Sequence, residues 1–288
     1  MGRGARGRTL PRRADPRLVA RGDAPLDGPR SDRTRSHGAR SRAVRRGGWR
    51  LAVTPVLLLV VTGAILWWVN HGRLDSGESA VLSTANLRAR AWENLQMSAV
   101  STALATLVAV PLGIVMSRRA LRRAGTPILF VANIGQTVPT VAVLALMLTV
   151  TGLGFRTAVF ALWIYSLLPI LQNTLVGLRG VDPATVEAAR GMGMGSAGTL
   201  WRIELPLAMP VMIAGIRTAA VVNVGTAALG TFIGAGGLGA IIEIGINNQR
   251  DHLLYVGAGL TAMLALAADW AVGLLGVLIS PRHTQATG

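Results

Sequence analysis

Residues 180–210 read GVDPATVEAARGMGMGSAGTLWRIELPLAMP, a polar, glycine-punctuated segment between long apolar runs. Asp182 is a favourable helix cap, and Pro183 suits the first helical position, where a missing N–H costs nothing. Glycine is costly inside a helix and permissive in a turn, so the helix should be short. The glycines that interrupt it are Gly191, Gly193 and Gly195.

A second short helix is expected after these glycines. Ser196 can cap it, and it should run from Ala197 to Glu204 before Pro206 restarts the chain into the next apolar run. The stretch therefore predicts a helix–turn–helix elbow at a membrane surface.

The composition identifies an integral membrane protein. Hydrophobic residues make up 51% of the chain, the mean hydropathy is +0.48, and several apolar runs reach about 20 residues. Such runs must form helices, because backbone groups in hydrocarbon have to be satisfied within each segment. The chain has no cysteine, which excludes disulfides and thiol chemistry, and its four histidines are scattered without helical spacing.

The basic residues exclude one kind of nucleotide site. All 29 are arginine, whereas a Walker phosphate loop needs a lysine that reaches the β- and γ-phosphates. If ATP drives this protein, another chain must therefore hydrolyse it.

The elbow resembles the signature of bacterial ABC-importer permeases, E-A-A, three residues, G, nine residues, I-x-L-P. All positions of that pattern are present, at Glu187, Ala188, Ala189, Gly193, Ile203, Leu205 and Pro206. NIGQTVPT (133–140), LLPILQNTLVGLRGVDP (167–183) and FIGAGGLG (232–239) resemble the osmoprotectant branch, which carries glycine betaine, carnitine or choline. The resemblance covers about residues 92–280.

The resemblance implies an all-α integral membrane protein of the bacterial plasma membrane. The resembled family has a compact five-helix type I importer core, and the first span of this chain exceeds that pattern and is expected to be an added N-terminal anchor. The expectation is therefore six transmembrane helices, with both termini in the cytosol. The elbow would be the coupling helix of a permease that is not itself an enzyme and needs no cofactor or metal. Its implied partners are a cytosolic ABC ATPase dimer, a second permease subunit, identical or paralogous, an extracytoplasmic binding protein and membrane lipids.

The apolar runs predict where the spans lie. They are expected at 51–69, 94–116, 127–149, 157–178, 207–232 and 253–279. Arg118, Arg119, Arg122 and Arg123 mark the loop after the second span as cytosolic. The expected organisation is a tail at 1–50, an anchor at 51–69, a permease domain at 90–280 with its elbow at 180–206, and a tail at 281–288.

Polar residues within the spans are candidates for the translocation path. Inside a span they are tolerated where they face protein or water. They are Asn133, Gln136, Thr137, Pro139 and Asn223. The alternative is that Pro139 only bends its helix while Gln136 and Thr137 bond neighbouring helices.

Two opposite charges are expected at the same depth. Arg217 lies 11 residues after Pro206, and Asp269 lies 11 residues before Ser280. If both helix ends are cytosolic, each charge is about 16 Å along its helix. A lone intramembrane charge is costly and a partner offsets much of that cost, which predicts a pair.

The N-terminal 50 residues carry fifteen arginines and four aspartates, a net charge of +11. A segment so polar and so rich in Gly and Pro is expected to be a disordered cytosolic tail near anionic lipid headgroups. No aromatic residue precedes Trp49, so base stacking has no partner and nucleic acid is not expected.

Two other functions are alternatives to an osmoprotectant importer. An ion-coupled secondary transporter would need inverted repeats and several intramembrane acids, yet Asp269 is the only acid well inside a predicted span. An ABC permease for another small solute, such as an amino acid, stays open.

GAGGLG at 234–239 has the letter pattern of a dinucleotide-binding motif, but no βαβ unit surrounds it, so no dinucleotide site is expected there.

Overall fold

A computed structural model describes residues 53–69, 71, 75–118, 127, 130, 133–134 and 137–279, and the predicted tails at 1–50 and 281–288 lie outside them. Throughout this part of the chain the regular structure is helical. Nine helices are used below: α1 (Val53–Val69), α2 (Ser76–Val81), α3 (Thr84–Ser117), α4 (Thr140–Thr151), α5 (Phe155–Arg179), α6 (Pro183–Gly191), α7 (Ser196–Ile233), α8 (Gly239–Asn247) and α9 (Asp251–Ile279).

Four helices are long and apolar enough to cross a bilayer: α3, α5, α7 and α9. The helix α3 has 34 residues and starts ten residues before the predicted span at 94–116. Two shorter apolar helices, α1 with 17 residues and α4 with 12, accompany them. The all-helical membrane architecture is therefore confirmed, while six full-length spans stay a prediction.

Helices α3, α5 and α7 form the centre of the bundle. Their contacts are built on small residues, which let helix backbones approach closely in a membrane. Gly177 of α5 faces Ala208 of α7, and Gly113 of α3 faces Thr174 of α5. One buried apolar cluster joins these three helices through residues such as Ala105, Ile170 and Ala219.

The remaining helices pack around this centre. Helix α9 lies against α7 and α8, and Gly257 of α9 faces Ile242 of α8. The predicted anchor α1 packs through Ile65 and Val69 against a cluster that contains Leu253 and Val256. Most of its other side chains are exposed, in agreement with a peripheral position.

The bundle has two ends that the rest of the description uses. At the elbow end, Arg118 after α3 meets Glu204 of α7. At the opposite end, the Gly154 N–H before α5 donates to the Ile233 carbonyl at 2.8 Å, and the Gly237 N–H donates to Glu93 of α3 at 2.9 Å. Helices α3 and α5 therefore both run from this end toward the elbow, and α7 runs back from the elbow in the opposite direction.

The third predicted span, 127–149, is not one continuous helix. Residues 127, 130, 133 and 134 are helical, residues 137–139 are not, and α4 begins at Thr140. Pro139 has an extended backbone, with φ −56° and ψ 134°. Proline disfavours the helical region for the residue before it and removes an N–H donor, so the break falls at Val138 and Pro139.

The second elbow helix also differs from its prediction. Gly195, not Ser196, is the cap residue, and the helix continues past Pro206 without a stop. Residues Leu200–Glu204 form a π turn that ends two residues before the proline. A wider turn accommodates a ring that would otherwise press on the carbonyl four residues earlier, so Pro206 lies inside α7 and does not restart the chain.

Candidate functional site

The first half of the elbow is helix α6. The Asp182 carboxylate accepts a hydrogen bond from the Ala184 N–H at 3.0 Å, and Pro183 occupies the first turn. The helix ends at Gly191, and Gly193 follows with φ +85°. This left-handed conformation is strained for residues with a side chain, so Gly193 fixes the sharp turn between the two halves.

The residues of the E-A-A signature divide between an inner and an outer face. Ala189 and Leu205 are buried in the joint where α6 meets α7. That joint is filled by the cluster of Leu178, Val181, Leu205, Ala208 and Met212, against which Val186 and Leu200 pack. Ile203 and Pro206 are half-buried, whereas Glu187, Ala188 and Gly193 are exposed.

The outer face combines charge with large apolar side chains. Met192 is 73% exposed and Trp201 is 67% exposed. Among the described residues the Glu187 carboxylate has no ion-pair partner. Exposed Met and Trp side chains rimmed by charges are typical of protein docking surfaces.

Glu204 of the elbow has a partner that the sequence did not reveal. Arg118 donates from Nη2 to one carboxylate oxygen at 2.8 Å and from Nη1 to the other at 3.3 Å. On charge alone, the nearby Arg179, Arg190 and Arg202 are equally suited to face Glu204. The partner lies 86 residues away in the chain, and no local pattern indicates such a contact.

The two intramembrane charges lie in contact. Arg217 of α7 donates from Nε to Oδ1 of Asp269 on α9 at 2.9 Å, and from Nη2 to Oδ2. The side chains are 42% and 37% exposed in the isolated chain. The pair ties α7 to α9 about halfway along both helices.

The predicted path residues are not gathered in one place. Asn133, Thr137 and Pro139 are exposed around the break before α4, and Asn133 accepts from the Gln172 amide of α5 at 2.9 Å. Asn223 is 1% exposed, and its amide donates to Thr102 of α3 at 2.9 Å. Gln136 lies outside the described residues.

A buried polar seam along α3 was missed from the sequence. The Asn94 amide donates to the Val224 carbonyl of α7 at 3.0 Å, while its own side-chain oxygen is buried without a hydrogen-bond partner. Ser101 donates to the Val159 carbonyl of α5 at 3.1 Å. A sequence signal exists, since Asn94, Ser98, Ser101 and Thr102 recur at helical spacing within an apolar run.

Several bacterial permease proteins are similar to this chain. In sequence, it is 43% identical over 191 residues to the carnitine transport permease protein OpuCD of Listeria monocytogenes, covering 66% of this chain and 85% of that protein. It is 39% identical over 196 residues to the choline transport system permease protein OpuBB of Bacillus subtilis, covering 68% and 89%. The osmoprotectant import permease protein OsmW of Salmonella typhimurium is 37% identical, covering 66% and 90%.

Solved structures support the fold. The inward-facing MetNI methionine ABC transporter matches with a TM-score of 0.61 at 20% identity, covering 72% of this chain and 100% of that one. An amino acid ABC transporter with histidines matches with a TM-score of 0.58 at 19% identity, covering 70% and 97%. Residues 109–280 match the family described as binding-protein-dependent transport system inner membrane component. This chain, with its glycine-hinged elbow at one end of a helical bundle, belongs to that family of bacterial inner-membrane permeases.

Proposed function

We propose that the chain is the membrane subunit of an ATP-driven importer of small osmoprotectants such as glycine betaine, carnitine or choline. The relatives whose names state those solutes align over about two thirds of this chain. The observation that carries the mechanism is the elbow, a rigid bend with an exposed Glu187 and the exposed side chains of Met192 and Trp201.

The ATPase is a separate chain in this proposal. The sequence contains no lysine for a phosphate-binding loop. A partner ATPase would receive the outer face of the elbow, where Met192 and Trp201 are the apolar anchors and Glu187, Arg190 and Arg202 form a charged rim. The coupling residues are Glu187, Ala188, Ala189, Gly193, Ile203, Leu205 and Pro206.

Transport would proceed by alternating access between two permease subunits. ATP binding closes the ATPase dimer and draws the two elbows together, so that the shared cavity opens outward to the binding protein. Hydrolysis reverses the change. Because Val186 of α6 packs against the cluster that contains Leu205 of α7, and Ala189 is buried on the same inner face, an elbow that is displaced carries α7 with it.

The chemistry of the proposed path suits solutes with a quaternary ammonium group. Its candidates are the neutral polar residues Asn133, Gln136, Thr137 and Asn223, with Pro139 at the helix break. Neutral groups let a zwitterion or cation pass without trapping it. Tight selection is better placed in the binding protein, where aromatic faces attract a cation that has no N–H donors.

Ion coupling is disfavoured by the pairing of Asp269. Secondary transporters use free intramembrane acids to bind protons or sodium. Within the described residues of α7 and α9, the Asp269 carboxylate is engaged by Arg217 through two hydrogen bonds. That carboxylate is therefore not available as a coupling site.

The test is uptake by cells that lack their own osmolyte transport. They would receive this chain together with the ATPase and binding protein of its own cell, and radiolabelled glycine betaine, carnitine and choline would be offered in separate assays. ATP-dependent uptake of at least one solute is expected. Uptake that survives ATP depletion and collapses with a protonophore would contradict the proposal. Uptake of methionine or histidine alone would change the substrate class from osmoprotectants to amino acids.

The elbow itself is tested with a pair of glycines. Gly193→Pro should abolish uptake and release the ATPase in a pull-down, because a φ of +85° is closed to proline. Gly191→Ala is the matched control, since a Cβ at Gly191 meets nothing within 4 Å. Undiminished uptake by the Gly193→Pro variant would remove the coupling role from the elbow.

A further inference from the structure

The ion pair between Arg118 and Glu204 joins the end of α3 to the end of the elbow, where α7 enters the bundle. The Arg118 guanidinium holds both oxygens of the Glu204 carboxylate, at 2.8 and 3.3 Å, and its Nε donates to the Ile114 carbonyl at 3.4 Å. Glu204 is 7% exposed. A bidentate arginine–carboxylate contact fixes orientation as well as distance, so it sets the position of α3 against the elbow.

Glu204 lies at the point where the elbow continues into the membrane-spanning part of α7. It is the last residue of the π turn Leu200–Glu204, and Leu205 and Pro206 of the signature follow directly. π turns inside α-helices are frequently found at functional sites. The arginine therefore contacts α7 at the joint where a displacement of the elbow enters it.

The other contacts between α3 and this joint are apolar. Val110 and Ile114 of α3 pack against the cluster that contains Leu178, Leu205 and Met212. Apolar contact is non-directional, so these contacts do not fix the orientation of the end of α3 against the joint. The ion pair is directional and short, and it adds that orientation at the elbow end, whereas the hydrogen bonds that join Asn94 and Thr102 of α3 to α7 lie further along the bundle.

Helix α3 reaches from this joint to the opposite end of the bundle. There its Glu93 accepts from the Gly237 N–H, and between the two ends its Thr102 accepts from the amide of Asn223 on α7. A displacement passed to α3 through Arg118 is therefore delivered to the glycine-rich turn by a path parallel to α7.

We propose that Arg118 and Glu204 are a positioning pair that locks α3 to the elbow, so that the ATP-driven displacement moves α3 and α7 as one body. The proposal rests on the importer function proposed above. Without the pair, the elbow still binds the ATPase through its outer face, but the end of α3 is no longer fixed to the elbow and follows its displacement less closely. The complex then hydrolyses ATP with less solute transported for each ATP consumed.

The experiment measures solute transported per ATP hydrolysed by the complete complex in proteoliposomes, with glycine betaine, carnitine or choline as the probe, whichever the wild type carries. Glu204→Gln should lower this ratio about fivefold or more. The charge exchange Arg118→Glu with Glu204→Arg should recover most of it. Arg118→Lys keeps the charge but loses the bidentate contact, so it should give an intermediate ratio.

Arg156→Gln is the matched control. Arg156 is an exposed arginine in the first turn of α5 at the opposite end, with no ion pair among the described residues. It should leave the ratio unchanged. The thermal midpoint and the bound ATPase are recorded for every variant, because a purely structural role lowers those and leaves the ratio intact.

The outcomes separate this proposal from the one on which it rests. A wild-type complex without ATP-driven uptake would defeat the importer function. A working wild type with a normal ratio in Glu204→Gln would overturn the positioning pair alone. So would a charge exchange that assembles and melts like the wild type but keeps a low ratio. If Glu204→Gln fails to insert, the ratio of Arg118→Lys decides, and a normal value there also overturns the pair.

Discussion

Arg217 of α7 and Asp269 of α9 face each other within the apolar part of the bundle, with Arg217 Nε 2.9 Å from Asp269 Oδ1. Gly273 of α9 leaves room for the guanidinium, because a Cβ at that position would lie 3.3 Å from Cζ of Arg217. Two charges that are each costly in a membrane are thus accommodated together.

Removing one partner of this pair should destabilise the chain more than removing both. Asp269→Leu leaves Arg217 uncompensated, at a cost of about 2–3 kcal/mol in the free energy of unfolding. The double substitution Arg217→Leu with Asp269→Leu should recover most of that loss. Unfolding in mixed micelles measures both, and a double variant less stable than Asp269→Leu would contradict the interpretation.

Close packing between α5 and α7 gives a second prediction. A Cβ at Gly215 would lie 2.5 Å from Cβ of Asn173 and 2.9 Å from the Pro169 carbonyl oxygen. Gly215→Ala should therefore destabilise the bundle by about 1–3 kcal/mol, because the backbones must separate. Gly225→Ala on the same helix meets nothing within 4 Å and should be tolerated. Thermal midpoints in detergent compare the two, and equal values would refute the packing argument.

The buried hydrogen bond between Asn223 and Thr102 gives a third prediction. Thr102→Val removes the acceptor of the Asn223 amide and leaves a buried donor without a partner, at a cost of about 1–3 kcal/mol. Thr106→Val is the control, because its hydroxyl donates only within α3, to the Thr102 carbonyl. The free energy of unfolding should fall in the first variant and change little in the second. The reverse order would show that the bond to Asn223 contributes nothing.

Acid should loosen the segment that precedes α3. The Ser76 N–H hydrogen bond, followed by the Arg250 side chain, lowers the pKa of Asp75 below its ordinary value. A carboxylate whose pKa is lower in the folded chain than in the unfolded chain stabilises the folded state at pH values above its unfolded-state pKa. That stabilisation is lost as the pH falls through its folded-state pKa. Protection of residues 75–82 from hydrogen exchange should therefore be constant above about pH 5 and fall below about pH 4.

Asp75→Asn supplies the comparison for the acid effect. It should show weaker protection at neutral pH and a flatter dependence on acid, because the amide does not titrate and does not form the ion pair with Arg250 at 3.2 Å. An acid response of equal size in this variant would assign the effect to another group.

Local chemistry made much of the elbow predictable. Asp182, Pro183 and Gly193 act through their own backbone neighbours, so a cap, a helix start and a left-handed turn can be read from residue type and spacing. The equal depth of Arg217 and Asp269 also follows from counting along two helices, provided that both helices are regular.

Features that depend on tertiary contact were not predictable. The partner of Glu204 is set by how the end of α3 packs on the elbow, and Arg179, Arg190 and Arg202, which are nearer in sequence, were equally plausible on charge. Helix α7 continues through Pro206, and a widened π turn lies before that proline. At Pro139 the backbone is extended and the helix is broken. Proline alone does not distinguish these two outcomes.

The unbroken course of α7 has a mechanical consequence. Its 38 residues extend on the order of 55 Å, nearly twice the thickness of a hydrocarbon core. One helical rod thus begins at the elbow, and the turn held by Glu93 starts where that rod stops, at Gly234. A small tilt imposed at the near tip is amplified by leverage at the far tip, with no flexible connection in between to absorb it.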